Sequence, residues 1–192
     1  FMRLSASPVL RLGSGFYTWL LRGTPLLVQI LLWGNLALLF QHIGPFDTNA
    51  IMTPFVASVV ALGLNEAAYM AEIVRAGILS VDRGQYEASL ALGMPRTLAM
   101  RRIILPQALR VIIPPAGNQF ISLLKATSLV SVIAGGDLLT AAENISSANL
   151  HTIELMLVAT FWYLVLTTIT SASQYFIERR LGRAGTGLHG TR

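Results

Sequence analysis

The chain contains no cysteine, so neither a disulfide framework nor thiolate metal ligation is open to it. Histidine is scarce: His42, His151 and His189 stand far apart, and no metal-ligand spacing appears. These three fall in loops or the tail, which leaves no nucleophile and base together at membrane depth for an intramembrane hydrolase. Lysine occurs once, at Lys125. Charged residues make up only 12% of the chain, against roughly 25% in ordinary soluble domains, while 54% of residues are hydrophobic. With a mean hydropathy of +0.62, this is the composition of a membrane protein.

What the chain does have is long apolar runs. A helix needs about 20 such residues to cross the hydrocarbon core, and backbone groups in lipid must find their partners within the segment. Four runs meet that length: about Leu20 to Phe40, Ile51 to about Val74, about Leu109 to Ile133, and Ile153 to Ile177. The expectation is an all-α, polytopic protein with four visible membrane helices in one transmembrane domain covering residues 1–192. Arginine supplies nearly all the positive charge, and its placement is uneven. Arg3, Arg11 and Arg22 lie at or before the start of the first run. Arg75, Arg83, Arg96, Arg101, Arg102 and Arg110 separate the second from the third, and Arg179, Arg180, Arg183 and Arg192 follow the fourth. The segments Gln41–Ala50 and Gly135–Thr152 carry only Asp47, Asp137 and Glu143 as charges. Because Lys and Arg favour the cytoplasmic side, those two segments are expected outside, with both ends and the Arg-rich loop in the cytoplasm. The net charge of +5 follows from this asymmetry and needs no nucleic-acid partner. The stretch from Arg3 to Arg22 has the character of a loop arriving from an earlier helix, so at least one further N-terminal span is expected. Gly182 to Arg192 reads as a frayed tail, and no signal-peptide pattern is visible.

The loop at 82–106 reads as two short helices at an angle. Asp82-Arg83-Gly84 is a turn signal, Gln85 to Leu92 suits a helix, Gly93-Met94-Pro95 breaks it, and Arg96 to Leu105 begins another. Leu90, Leu92 and Leu98 put apolar surface beside Arg96, Arg101 and Arg102, as suits a helix half-buried in a partner's groove or lying on anionic lipid. Through this loop runs an ordered pattern: Glu87-Ala88-Ser89, three residues, Gly93, nine residues, then Ile103, any residue, Leu105 and Pro106. It resembles the EAA loop of ABC importer permeases, which reads Glu-Ala-Ala, three residues, Gly, nine residues, Ile, any residue, Leu, Pro. Ser89, replacing the second alanine, is the single departure. Arg22-Gly-Thr-Pro-Leu-Leu-Val-Gln29, Ala68 to Arg75, Gly117 to Lys125 and Thr127 to Ile133 resemble the polar amino acid uptake branch of these permeases. Arg22 and Pro25 also read as an interfacial anchor followed by a first-turn proline.

The resemblance implies a multi-pass subunit of a bacterial cytoplasmic (inner) membrane importer that does no ATP chemistry itself. It implies two ATP-binding partner subunits that carry the ATP and Mg, a second permease copy or homologue, an extracytoplasmic solute-binding protein and an amino acid substrate. The chain itself would bind no cofactor. Glu87, Ala88, Ser89, Gly93, Arg96, Arg101, Ile103, Leu105 and Pro106 would form the ATPase-coupling set. A gated channel working without an ATPase is the alternative, and it has no need of such a loop.

Polar residues inside the runs are candidates for the substrate pathway. Asn65 and Glu66 lie some 15 residues into the second run, about 22 Å from its outer end, and Asn118 and Gln119 about 10 residues into the third, roughly 15 Å from its inner end. An ionisable group at the bilayer centre costs about 2.5–3.5 kcal/mol on insertion scales, so such groups face a bundle interior or a water-filled cavity. The same amides serve equally well as interhelical glue. Lys125, roughly 24 Å along the third run, either snorkels to the outer interface or gates the path. Glu72 and Arg75 read as an ordinary surface pair, and Pro114-Pro115 as a hinge or a compensated kink. Glu66 would favour a cationic substrate and the amides a neutral polar one, so which amino acid is carried stays open, as does homodimer against heterodimer.

Overall fold

The computed structural model describes residues 2–5 and 7–183, so most of the tail expected from Gly182 to Arg192 lies outside the described residues. A 3-10 turn at Met2–Leu4 precedes α1 (Pro8–Gly23), so the stretch expected as a loop is helical, with Pro8 at a first-turn position where its missing N–H costs nothing. α2 (Leu26–Gly34) and α3 (Leu36–Leu39) come next. A two-residue antiparallel hairpin, β1 (His42–Ile43) and β2 (Phe46–Asp47), leads to α4 (Thr48–Ile51), capped by the Asp47 carboxylate. The long α5 (Pro54–Leu79) passes into α6 (Arg83–Ala91), α7 (Arg96–Ala99), a π-helical turn at Met100–Ile104 and α8 (Leu105–Ala126). A 3-10 segment, Thr127–Ile133, carries the chain to α9 (Leu138–Asn149), and α10 (Thr152–Arg183) completes it.

The all-α class holds, but four membrane spans do not form. Among the described residues, two helices are long and apolar enough to cross a membrane, α5 and the Thr152–Arg180 part of α10. The number rises to three at most, if the pair Arg96–Ile133 and Leu138–Asn149, bent by 43°, counts as one span. The expected span at 20–40 fails for a local reason. Pro25 has no N–H to donate and biases Thr24 to extended backbone (φ −110, ψ 144), so α1 stops at Gly23. α2 then runs for 9 residues, about 13 Å, before Asn35 ends it. The expected span at 109–133 likewise is not one straight helix. α8 starts upstream at Leu105, tightens to 3-10 geometry at Thr127, and the chain then turns through positive φ at Ala134 and Gly136.

α5 and α8 form the central pair, with α2 and α1 against one side of α5 and α10 against α8. Ala57, Ala61 and Ala68 are fully buried along α5, with Asn65 in the same stripe. Small residues at this spacing let backbones approach, which is the usual source of helix association where lipid removes the hydrophobic drive. Close approach is sharpest at Gly77, where an added Cβ would land on the Ile112 side chain. Around that crossing Ile78, Ile104, Ala108 and Ile112 form one core, joined by Tyr86 and Met100 from the loop. A second core, Ile30, Ala61 and Val130, joins α2, α5 and the 3-10 segment. Along α10, Leu157, Phe161, Leu164, Ile169 and Phe176 are exposed, apolar surface of the kind that lipid or a membrane partner covers.

Candidate functional site

Two places bring the sequence-derived candidates together: the segment from Asp82 to Pro106, and a cavity between α5 and α8.

The segment begins with the Asp82 carboxylate accepting from the Gly84 backbone N–H at 2.6 Å, which caps α6. Glu87 and Ala88 lie exposed on α6, as do Leu90 and Leu92, the latter 82% accessible. Ser89, where the family pattern has alanine, is buried, and its hydroxyl donates to the Tyr86 carbonyl at 2.6 Å. The added polar atom is therefore satisfied within its own turn, so the departure leaves α6 intact. α6 ends in a Schellman motif: the Gly93 N–H donates to the Leu90 carbonyl (2.9 Å) and the Met94 N–H to the Ser89 carbonyl (3.1 Å). Gly93 sits at φ +77, a region that costs other L-residues about 1–2 kcal/mol. This motif sets the angle between α6 and α7.

Pro106 shapes the other end. Without an N–H it cannot serve the carbonyl four residues back, and its ring crowds that carbonyl. The helix widens there, with the Leu105 N–H reaching the Met100 carbonyl, five residues back. Ile103 and Leu105 are half-buried, whereas Arg96, Arg101 and Pro106 are exposed. The Gln107 amide donates to the Ile103 carbonyl at 3.0 Å and stands 3.5 Å from the Gln85 side-chain oxygen, bracing α8 against α6. The π turn differs from the plain helix expected over Arg96 to Leu105, and Pro106 is its one signal in the sequence.

The cavity, about 470 Å³, lies along the α5–α8 groove. Tyr69, Glu72 and Arg75 line it from α5, Asn118, Gln119 and Ser122 from α8, and Arg22 from the last turn of α1. Glu66 sits one turn from Tyr69 on α5 and accepts from the Gln119 amide at 3.0 Å. Asn118 accepts from Gln174 of α10 at 3.1 Å, and Gln174 also donates to the Pro114 carbonyl at 3.1 Å. Gly117 makes room for this bridge, since a Cβ there would collide with the Gln174 amide.

Asn65 points elsewhere. Its amide donates to the Leu21 carbonyl (3.0 Å) and to the Gln29 side-chain oxygen (3.2 Å), and Gln29 in turn donates to Leu21, Thr24 and the Thr24 hydroxyl. These bonds satisfy the carbonyls freed where α1 breaks from α2. Lys125, exposed in the last turn of α8, does not line the cavity. The pair Glu72 and Arg75 is more than a surface contact: Glu72, with its side chain only 14% exposed, is held by Arg75 and by Arg3, each at 2.8 Å. Arg22 lies over the Tyr69 ring at 5.0 Å. A helical period through Glu66, Tyr69 and Glu72 is the sign in the sequence of a polar stripe facing α8. Among the described residues no group of three His, Asp or Glu is placed to hold a metal.

The family description "binding-protein-dependent transport system inner membrane component" matches residues 1–183. The chain belongs to this family. It is 46% identical to the arginine transport system permease protein ArgU of Corynebacterium glutamicum, over 96% of the chain and 60% of that protein. Against the L-cystine transport system permease protein TcyB of Bacillus subtilis it is 42% identical, over 94% of the chain and 74% of the relative. It thus spans about three fifths to three quarters of the length of these two relatives. A crystal structure of an amino acid ABC transporter with histidines matches with a TM-score of 0.81 at 41% identity, covering 93% of the chain and 80% of the solved one. This family member is a membrane component of a transport system, not an enzyme.

Proposed function

We propose that this family member is the permease subunit of an ATP-driven importer that moves amino acids into the bacterial cytoplasm, working through two structures in the chain. The first is the segment Asp82–Pro106, which docks against the ATP-binding subunits, two of which serve the pair of permeases. The second is the α5–α8 cavity, which forms part of the substrate path. Names among its relatives, arginine and L-cystine permeases, support an amino acid as cargo. The remaining partners are an extracytoplasmic solute-binding protein, a second permease copy or homologue, and membrane lipid.

One observation carries the coupling role: α6 and the π turn stand on the inner α5–α8 core through Tyr86, Met100 and Ile104, while Glu87, Leu90, Leu92 and Arg101 remain free outward. A force applied to that outward face reaches both central helices through packed side chains. Exposed leucines and arginines on the same segment offer apolar anchors and charged groups for a docking surface. ATP binding in the partner subunits then favours one arrangement of α5 and α8 over another, and only such a difference in affinity can shift the equilibrium. Asn65 is helix glue away from the cavity, while Asn118 and Gln119 form its polar wall with Glu66 behind Gln119. Lys125 at the end of α8 snorkels toward the interface. The arginines between α5 and α8 support a cytoplasmic docking segment and C-terminus.

The test is uptake by the assembled transporter in proteoliposomes. Amino acid accumulation that requires both ATP and the solute-binding protein is expected; flux through the permease alone, without ATP, would establish the channel alternative instead.

A further inference from the structure

Among the described residues, Arg22 is the cation lining the cavity that no carboxylate compensates. Glu72 is the acid lining the same cavity, and both its oxygens are taken, one by Arg3 and one by Arg75. Among the described residues no carboxylate pairs with Arg22; the Tyr69 ring is its recorded partner. An aromatic face offsets part of the cost of a guanidinium here and leaves its N–H donors unused. Those donors form a planar fork that matches a carboxylate in two bonds. Asn118, Gln119 and Ser122 supply further hydrogen-bonding groups across the groove, and the Glu66 carboxylate lies beyond Gln119. A zwitterion therefore finds positive charge at one part of the cavity and negative charge at another.

The position of Arg22 is itself built. It stands one residue after Leu21, whose carbonyl accepts from both Gln29 (2.8 Å) and Asn65 (3.0 Å). Asn65 is buried, so this anchor is shielded from competing water. The break after Gly23 would otherwise leave the end of α1 free to shift.

We propose that Arg22, stacked on Tyr69, binds the carboxylate of the amino acid in the α5–α8 cavity, and that Asn65 is a positioning residue holding the end of α1 that carries it. This rests on the cavity being the substrate path.

Proteoliposomes with the assembled transporter are offered a mixture of the proteinogenic amino acids and cystine, and mass spectrometry of the interior identifies the one carried. Its KM and kcat are then measured in variants. Arg22→Gln raises KM about 10- to 100-fold, the loss of a charge-assisted hydrogen bond, with kcat little changed. Arg22→Lys keeps the charge but loses the fork and raises KM about fivefold, the readout if Arg22→Gln does not assemble. Asn65→Ala raises KM as well, and in the Arg22→Gln background it adds nothing, because it acts through Arg22. An unchanged KM in the assembled Arg22 variants overturns the carboxylate assignment, and additive effects overturn the positioning role. Asn118→Ala and Gln119→Ala separate the two readings. If they raise KM while Arg22 variants do not, the cavity stands and the Arg22 role falls. If none changes KM, or nothing is carried, the cavity reading falls and this proposal with it.

Discussion

Gly93 is the residue on which the shape of the docking segment turns, and its role is conformational. No atom lies within 4 Å of where its Cβ would be, so a side chain would meet open space; the backbone at φ +77 is what excludes it. Gly93→Val is expected to cost about 1–2 kcal/mol or more at that turn and to misalign α6. ATP-driven uptake should fall at least tenfold, with normal membrane insertion. Gly93→Asn, which tolerates the left-handed region, should stay near wild type. Equal uptake by the two variants would remove the conformational argument. The loop pattern is legible in the sequence because Asp82, Gly93 and Pro106 act locally: a cap, a reversal and a missing donor each leave a mark in the residues around them. Partners of Arg22, Glu72 and Asn118 are not legible there. Tyr69, Arg3 and Gln174 reach them only after the helices pack, and nothing local encodes those meetings.

At the scale of elements, the chain shows why apolar length overstates spans. The run 20–40 is apolar over most of its length, yet Gly23, Thr24 and Pro25 split it, and the side chains of Gln29 and Asn65 make the split tolerable. Hydropathy averages over such a break, whereas Pro25 marks it, since the residue before a proline is biased away from helix. The second and fourth runs fall largely within α5 and α10, where no proline interrupts past the first turn. The α5–α8 crossing gives a test of its own. Gly77→Leu forces a side chain into Ile112, an overpacking of about 1–3 kcal/mol that should lower the Tm of the detergent-solubilised protein. Ile112→Ala in the same chain should recover most of the loss. A Tm unmoved by Gly77→Leu would mean that the two helices are not in close contact.

For the whole molecule, orientation is the property that charge placement proposes. These 192 residues contain no cysteine, which makes this directly measurable, because an introduced thiol is unique among them. Leu92→Cys, exposed in the docking segment, should react with an impermeant maleimide only when the cytoplasmic side is opened. Ile43→Cys, exposed in the hairpin, should react from outside in intact cells. The reverse pattern would invert the topology and place the docking segment out of reach of any ATPase.

The central claim is that this permease is driven through the face of α6. It is tested most directly by purifying the chain from its native membrane in mild detergent and measuring the ATPase subunit retained, for wild type and for Glu87→Ala. Wild type should carry an ATP-binding subunit, and Glu87→Ala should lose most of it at equal permease yield. Equal retention by both would show that Glu87 does not hold the partner, and an ATPase-free assembly from wild-type membranes would contradict the importer reading itself.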